Sequence, residues 1–326
     1  MPDELFRIEP GSVAAIGRGQ ALPAIVQRAG AAAAFVWEEY FKARHTNPNT
    51  QRAYLLAARR FLAWAEGRGV ELPAITPGMV GEYISGMGGS SSRQCVALSA
   101  LRGFFDGLVN RHVVILNPAS SVKGFKEKVV EGKTPEITVE QARTLLASID
   151  TGTVIGLRDR AIIATLAYTA CRAGAVARLR LGDFQHDGMQ FVLRFREKGN
   201  KSREIPVRHD LEGYIRAYLD AAGLGEGGKD LPLYRAGNGR HGGLSERPLD
   251  TTSVGELVKR RLADAGLPLR LSPHSFRVAA ITDLLTQGVP LEDVQYLAGH
   301  AEPRTTGLYD RRKKRVTRNV VERISI

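Results

Sequence analysis

Ser272-Pro273-His274-Ser275-Phe276-Arg277 is the stretch from which the rest of the chain can be read. Ser272 suits an N-cap and Pro273 the first helical position, so the run predicts a helix start. His274 and Arg277, three apart, then share one face at the helix N-terminus. That terminus already favours an anion through its free N–H groups and its dipole, and two cationic side chains make it a phosphate site. Taken alone, His-x-x-Arg also fits a capped surface helix with two solvated polar groups.

The neighbours of this run give it weight. Downstream, Leu297-Ala298-Gly299-His300 is followed by Arg304-Thr305-Thr306-Gly307-Leu308-Tyr309. His300 stands 23 residues after Arg277, and Tyr309 stands nine after His300. Upstream, Tyr168-Thr169-Ala170-Cys171-Arg172-Ala173-Gly174 ends an apolar run with an arginine. Arginine at such a place faces a partner or an anion. Between them lies Arg196-Glu197-Lys198-Gly199-Asn200-Lys201, which reads as a hairpin tip, with Phe191, Val192, Leu193 and Phe195 pairing against Ile205 and Val207. Lys198 is the preferred functional lysine because it sits at the strand end before Gly-Asn. Lys201 and Arg203 are the competing choices.

The chain has 326 residues, 43% hydrophobic and 25% charged, which predicts about two globular domains. No apolar run approaches the ~20 residues of a membrane helix. The N-terminus is acidic where a secretory signal would be basic, and Cys95 and Cys171 cannot build a disulfide framework or a cysteine-rich zinc site. A reducing, cytoplasmic setting is expected. Forty-six basic side chains against 34 acidic ones leave +12, which points to a polyanionic partner, most often nucleic acid. Residues 311–326 carry seven basic groups and one acid, a net +6, half of that total.

Four helical patterns fill residues 29–118. Phe35, Val36, Tyr40 and Phe41 mark the first. Asn49 and Thr50 offer caps for the second, with Tyr54, Ala58, Phe61, Leu62 and Ala65 on its face. Thr76-Pro77 opens the third, with Met79, Val80, Tyr83, Ile84 and Met87. Leu98, Leu101, Phe104, Phe105 and Leu108 mark the fourth. The 3–4 spacing assigns these aromatics to a bundle core rather than to base stacking.

Residues 1–28 read as a poorly ordered arm. Residues 119–136 read as a basic linker, with Lys123, Lys126 and Lys128 along it. The second domain, 137–326, opens on a capping box, Thr138 with Gln141, and buries a helix over about 157–170. Residues 222–250, rich in glycine, read as a long surface loop. A basic and amphipathic tail closes the chain, with Val316, Val320, Val321 and Ile324 at roughly helical spacing.

Taken together, Arg172, Lys198, His274-x-x-Arg277, Gly299-His300 and Tyr309 resemble, in order, the catalytic motifs of the tyrosine recombinase (phage integrase) family. The resemblance covers most of the chain, because Thr50-Gln51-Arg52-Ala53-Tyr54 and Ile115-Leu116-Asn117-Pro118-Ala119 are similar to segments of the family's helical core-binding domain. It implies a mainly α fold with a small β-sheet: an N-terminal helical, SAM-like core-binding domain and a C-terminal mixed α/β catalytic domain. Two departures stand out. Ala175 occupies the place where the family often has Glu or Asp, and Ala298 the place where Leu is common.

The chemistry follows from the residue types. Breaking DNA without losing the bond energy needs a protein nucleophile that keeps the phosphate as an ester, and the Tyr309 hydroxyl can do so. Arg172 and Arg277 suit the non-bridging oxygens of the pentacoordinate transition state. His274 is the candidate base for the tyrosine proton and Lys198 the candidate acid for the departing 5′-oxygen. His300 would hydrogen-bond the same phosphate. The set has no Asp/Glu cluster for two metals and no P-loop, so no metal, ATP or other cofactor is expected.

The resemblance further implies double-stranded DNA with specific recombination sites as partner, contacted through Arg52, Lys123, Lys126, Lys128, Lys201 and Arg203. It also implies a tetrameric synapse on DNA, accessory proteins, a nucleoid-associated location, and service to a mobile element. The tail is expected to dock on a neighbouring subunit. Two other functions share much of this pattern: a type IB topoisomerase-like relaxing enzyme and a catalytically silent DNA-binding regulator. Relaxation without defined sites, and the absence of a covalent adduct, would mark them respectively.

Overall fold

Side chains recurring every three or four positions bury one stripe of each N-terminal helix, and those stripes meet in one core. The computed structural model describes residues 22–43, 47–124, 134–196, 202–225, 227–238, 243–300 and 302–309. The chain forms two compact units, residues 1–128 and 129–326.

The first unit contains α1 (Ala24–Arg28), α2 (Ala31–Ala43), α3 (Pro48–Glu66), α4 (Pro77–Gly86) and α5 (Ser91–Asn110). Phe61, Phe104 and Phe105 are fully buried, with Trp37 edge-on to Phe104 at 5.5 Å. Phe61, Phe104 and Phe105 are core, as their spacing predicts. Thr76 Oγ1 accepts from the Met79 N–H and Ser90 Oγ from the Arg93 N–H, so α4 and α5 begin on hydroxyl caps. Helix α3 begins earlier than expected. Asn47 is its cap, accepting from the Asn49 N–H at 2.9 Å, and Pro48 takes the first position. Gly103 lets α2 approach α5, because a Cβ there would strike the Tyr40 ring.

Two expectations are corrected at the ends of this unit. The arm assigned to residues 1–28 does not extend over Ile25 and Val26, which are fully buried in the helical core, and residues 1–21 lie outside the described residues. The linker assigned to 119–136 begins later. Ala119 is buried, and Arg102 donates to the carbonyls of Ala119 (3.1 Å) and Val122 (2.5 Å), which ties this stretch to α5. Phe35 departs from its expected inward stripe. It is half exposed, beneath the Arg111 guanidinium at 4.1 Å.

The second unit begins at the expected capping box. Thr138 Oγ1 accepts from the Gln141 N–H at 3.2 Å, and Gln141 Oε1 from the Thr138 N–H at 3.0 Å. It caps α6 (Val139–Ser148), followed by α7 (Val154–Thr169) and α8 (Ala173–Ala177). Helix α7 carries Ala161, Ile162, Ile163, Ala164 and Leu166 through the middle of the core. Strands β1 (Phe184–His186), β2 (Phe191–Arg196) and β3 (Ser202–Pro206) form an antiparallel sheet in chain order, with Leu193 opposite Ile205 and Phe195 opposite Arg203. Helix α9 (His209–Ala221) packs on α7.

The expected surface loop at 222–250 is also corrected. It holds a second hairpin, β4 (Arg235–Gly237) with β5 (Leu244–Pro248), and its Leu233 and Tyr234 are buried. Tyr234 Oη lies 2.8 Å from Thr165 Oγ1 of α7, which anchors the segment. Helices α10 (Thr251–Asp264), α11 (Pro273–Thr286), α12 (Leu291–Ala298) and α13 (Pro303–Gly307) complete the unit. Among the described residues no helix is long and apolar enough to cross a membrane.

Candidate active site

Helix α11 begins as the sequence predicts, with Ser272 as N-cap and Pro273 first in the helix. Ser275 Oγ accepts from the Ser272 N–H at 3.1 Å and fixes the first turn. This turn sends His274 outward and Arg277 inward.

Arg277 is only 1% exposed. Its Nη1 donates to the Ala170 carbonyl at 2.5 Å, while Nε and Nη2 are buried without a partner among the described residues. Ala170 presents that carbonyl from a left-handed turn (φ 49°) ending α7. Burial, with Arg172 close by, pulls the Arg277 pKa down to about 10, so the guanidinium stays charged at neutral pH. A buried cation with two unspent donors is held ready for an anion.

Arg172 is the N-cap of α8, two residues beyond that turn, and is exposed. Ala175, where an acidic residue is common in the resembled family, packs on the apolar core of this unit.

His274 Nε2 lies 3.1 Å from the Tyr309 hydroxyl. Desolvation, then the charges of Arg277 and Arg172, lower the His274 pKa from the ordinary histidine value. A neutral imidazole beside a phenol is what a general base requires.

Tyr309 follows α13. Its ring packs against the small cluster of Ala170, Ile281, Leu285, Val294 and Ala298. Thr282 Oγ1 donates to the Tyr309 carbonyl at 3.4 Å. Ala298 belongs to that cluster.

Gly299 ends α12 in the left-handed region (φ 62°), where glycine is free of strain, and so aims His300 back toward α11. Gln295 grips the His300 backbone twice: its carbonyl accepts from His300 N–H at 3.1 Å and its Nε2 donates to the His300 carbonyl at 3.0 Å. The His300 ring stacks on Tyr309, centroids 5.6 Å apart and 13° between planes. Its Nδ1 lies 2.8 Å from Thr306 Oγ1. Burial, then Arg277 and Arg172, push its pKa down to about 3.

The structure thus brings together Arg172, His274, Arg277, His300 and Tyr309. Lys198 and Lys201 of the hairpin tip, and Lys126 and Lys128 of the linker, lie outside the described residues. Arg52 and Lys123 are exposed on the first unit. Arg203 corrects its assignment as a DNA contact. In β3 it shares the inward parity of Ile205, is 5% exposed, and donates through Nη1 to the Tyr296 carbonyl of α12 at 3.0 Å. It ties the hairpin to the helix that carries His300. Sequence reasoning also missed Gln295, Thr282 and Thr306, each of which holds a functional residue in place.

A buried arginine beside a histidine–tyrosine pair suits phosphoryl transfer, and comparison with known proteins narrows the class. The sequence profile of the phage integrase family matches residues 135–315, and that of its N-terminal SAM-like domain matches residues 36–112. The tyrosine recombinase XerD of Chlorobaculum tepidum is 29% identical over 276 residues, covering 82% of this chain and 86% of the relative. The crystal structure of the XerH site-specific recombinase bound to palindromic difH substrate, a post-cleavage complex, shares the fold at a TM-score of 0.67 and 20% identity, covering 87% of this chain and 82% of that one. A lambda integrase tetramer bound to a Holliday junction matches with a TM-score of 0.58 at 17% identity, covering 87% and 84%. The chain belongs to the phage integrase family and is a tyrosine site-specific recombinase.

Proposed function

We propose that this recombinase cuts and rejoins double-stranded DNA at specific sites through a 3′-phosphotyrosine intermediate. The observation that carries this reading is the convergence on Tyr309: its hydroxyl is 3.1 Å from His274 Nε2, beside a buried Arg277 with two unspent donors. Tyr309 Oη bonds to phosphorus and gives its proton to His274, while the bond from phosphorus to the 5′-oxygen breaks and Lys198 protonates that oxygen. A 5′-hydroxyl of the partner strand reverses the step. Arg172, Arg277 and His300 stabilise the charge that grows on the non-bridging oxygens.

Arg52, Lys123, Lys126, Lys128 and Lys201 are proposed to contact the DNA backbone, which sets affinity and its salt dependence. Exchange joins two duplexes, so the proposed working form is a tetramer on two synapsed sites, with accessory proteins as further partners. Such an exchange would serve a mobile element and take place in the cytoplasm, at the nucleoid. Residues 316–326 of one subunit are proposed to dock on its neighbour. A groove of about 520 Å³ between α6, α7 and α11, floored by Leu146, Ala167 and Phe276 and edged by Asp210, Asp283, Arg143 and Arg208, offers an apolar floor to the valines of that segment.

The test is a covalent-adduct gel on a nicked site. The wild-type chain should form the adduct, and Tyr309→Phe should form none while binding DNA nearly as well. Loss of binding together with cleavage would make Tyr309 structural. Relaxation of supercoils lacking any site would favour a topoisomerase.

A further inference from the structure

Three threonines of the second unit spend their hydroxyl proton on the helix that carries them. Thr165, Thr169 and Thr286 each donate to the carbonyl four residues earlier, at 2.8, 2.7 and 2.7 Å. Thr306 differs. It is fully buried in α13, and its hydroxyl lies 2.8 Å from His300 Nδ1 with no other hydrogen bond among the described residues.

This pairing decides where the imidazole proton sits. Burial beside Arg277 and Arg172 keeps the His300 ring neutral, so it carries one N–H. If that proton were on Nδ1, it would point at Thr306 Oγ1, and the threonine proton would be buried with nothing to accept it. An unmatched buried donor costs about 1–3 kcal/mol. If Nδ1 is bare, it accepts the threonine proton, both groups are satisfied, and the ring proton is on Nε2. Stacking on Tyr309 and the two Gln295 bonds fix the ring and backbone against which this choice is made.

We propose that Thr306 is a positioning residue that sets the His300 tautomer, keeping the proton on Nε2, the nitrogen left to donate to the scissile phosphate. The idea rests on the recombinase reading for its purpose, and on geometry alone for the tautomer. A bare Nε2 would present a lone pair to an anion, so the wrong tautomer would repel where the right one stabilises.

The two parts separate in one set of measurements. The full-length chain, labelled with 15N-histidine, is examined without DNA, using His300→Gln to assign the His300 signals. The wild-type ring should show a protonated Nε2 and a hydrogen-bonded, unprotonated Nδ1. In Thr306→Val, of nearly equal shape, the Nδ1 signal should move to that of a free, unbonded nitrogen or give way to Nδ1–H. Thr306→Ser should restore it. Strand cleavage by Thr306→Val should fall about 10²-fold, the order for one oriented transition-state donor. Its DNA affinity should stay within about twofold, since phosphate contacts elsewhere dominate, and Thr306→Ser should recover most of the rate. A protonated Nδ1 in the wild type, or an Nδ1 signal unmoved in Thr306→Val, overturns the proposal. A wild-type chain that shows the expected tautomer and cleaves no DNA would instead overturn the recombinase chemistry.

Discussion

His274 Nε2 stands 3.1 Å from the Tyr309 hydroxyl across 35 residues of chain, in a protein whose two active-site histidines are both held neutral. Neutrality suits them differently. In the proposed mechanism His274 takes a proton, and His300 donates a hydrogen bond without adding a full positive charge beside Arg277.

That shared depression predicts a pH dependence in two observables. For kcat/KM of cleavage, the acid limb reports the base of the free enzyme. It should fall below the ordinary histidine value of about 6.5, because desolvation and the charges of Arg277 and Arg172 lower the His274 pKa. For stability, the folded chain resists protonating His300 until about pH 3, whereas the unfolded chain takes that proton near 6.5. Between those values the unfolded state binds more protons, so stability rises with pH and is lost as pH falls. The slope from one such group is at most about 1.4 kcal/mol per pH unit. His300→Gln should therefore flatten the denaturation midpoint between about pH 4.5 and 6.5. Parallel profiles for variant and wild type would mean that His300 titrates normally.

A second prediction concerns Asp159, fully buried on α7. Its Oδ1 accepts from Arg158 Nη2 at 2.6 Å, and its Oδ2 from Arg260 Nη2 at 3.0 Å and Arg261 Nε at 2.9 Å. One carboxylate thus joins α7 to α10 and neutralises Arg158, itself 4% exposed. Removing one partner of a buried pair costs about 3–5 kcal/mol because the other charge is left uncompensated. Asp159→Asn keeps the shape and should lower the Tm of the catalytic unit by roughly 10 °C, at about 2–4 °C per kcal/mol for a domain this size. A change under about 1 kcal/mol would show that the three arginines find water instead.

Much of the site was legible because its signals are local. Ser272-Pro273 announces a helix start, Gly299 a left-handed stop, and the spacing from His300 to Tyr309 leaves room for one short turn of helix between them. What escaped depends on contacts far apart in sequence. Arg203 looks like one more basic residue near a hairpin tip, although its parity with Ile205 already placed it on the inward face. Thr306 gains meaning only once α13 folds back under His300. Ile25 and Val26 read as part of a glycine- and alanine-rich arm because two apolar residues show no period, yet the helical core takes both. The β4–β5 hairpin was hidden by its glycines, and the buried pair Leu233-Tyr234 was its one visible sign.

The tail yields a third prediction. If residues 316–326 dock in the α6–α7–α11 groove of a neighbour, deleting them should weaken assembly on paired sites and leave single-site binding nearly unchanged. Leu146→Glu, which places a charge in the groove, should reproduce the defect. Sedimentation on DNA measures both. Unchanged assembly in the deletion would assign the segment to its own subunit.

The last prediction isolates Lys198. An alkoxide is strongly basic and needs a proton as it leaves, whereas a thiolate does not, since a thiol titrates near ~8.5 in the cysteine reference case. Lys198→Ala should therefore cleave ordinary DNA very slowly. It should cleave DNA with sulfur at the 5′-bridging position at close to the wild-type rate. Arg172→Ala should gain nothing from the sulfur, because its guanidinium serves the non-bridging oxygens, which are unchanged. Arg203→Met should likewise gain nothing from the sulfur. Its bond to the Tyr296 carbonyl supports the helix before His300, so its loss should slow cleavage of both substrates alike. Cleavage rates on the two substrates, compared across the three variants, separate the proton donor from the phosphate clamp and the scaffold. Rescue of Lys198→Ala and Arg172→Ala to the same extent, or of neither, would move the general-acid assignment to Lys201.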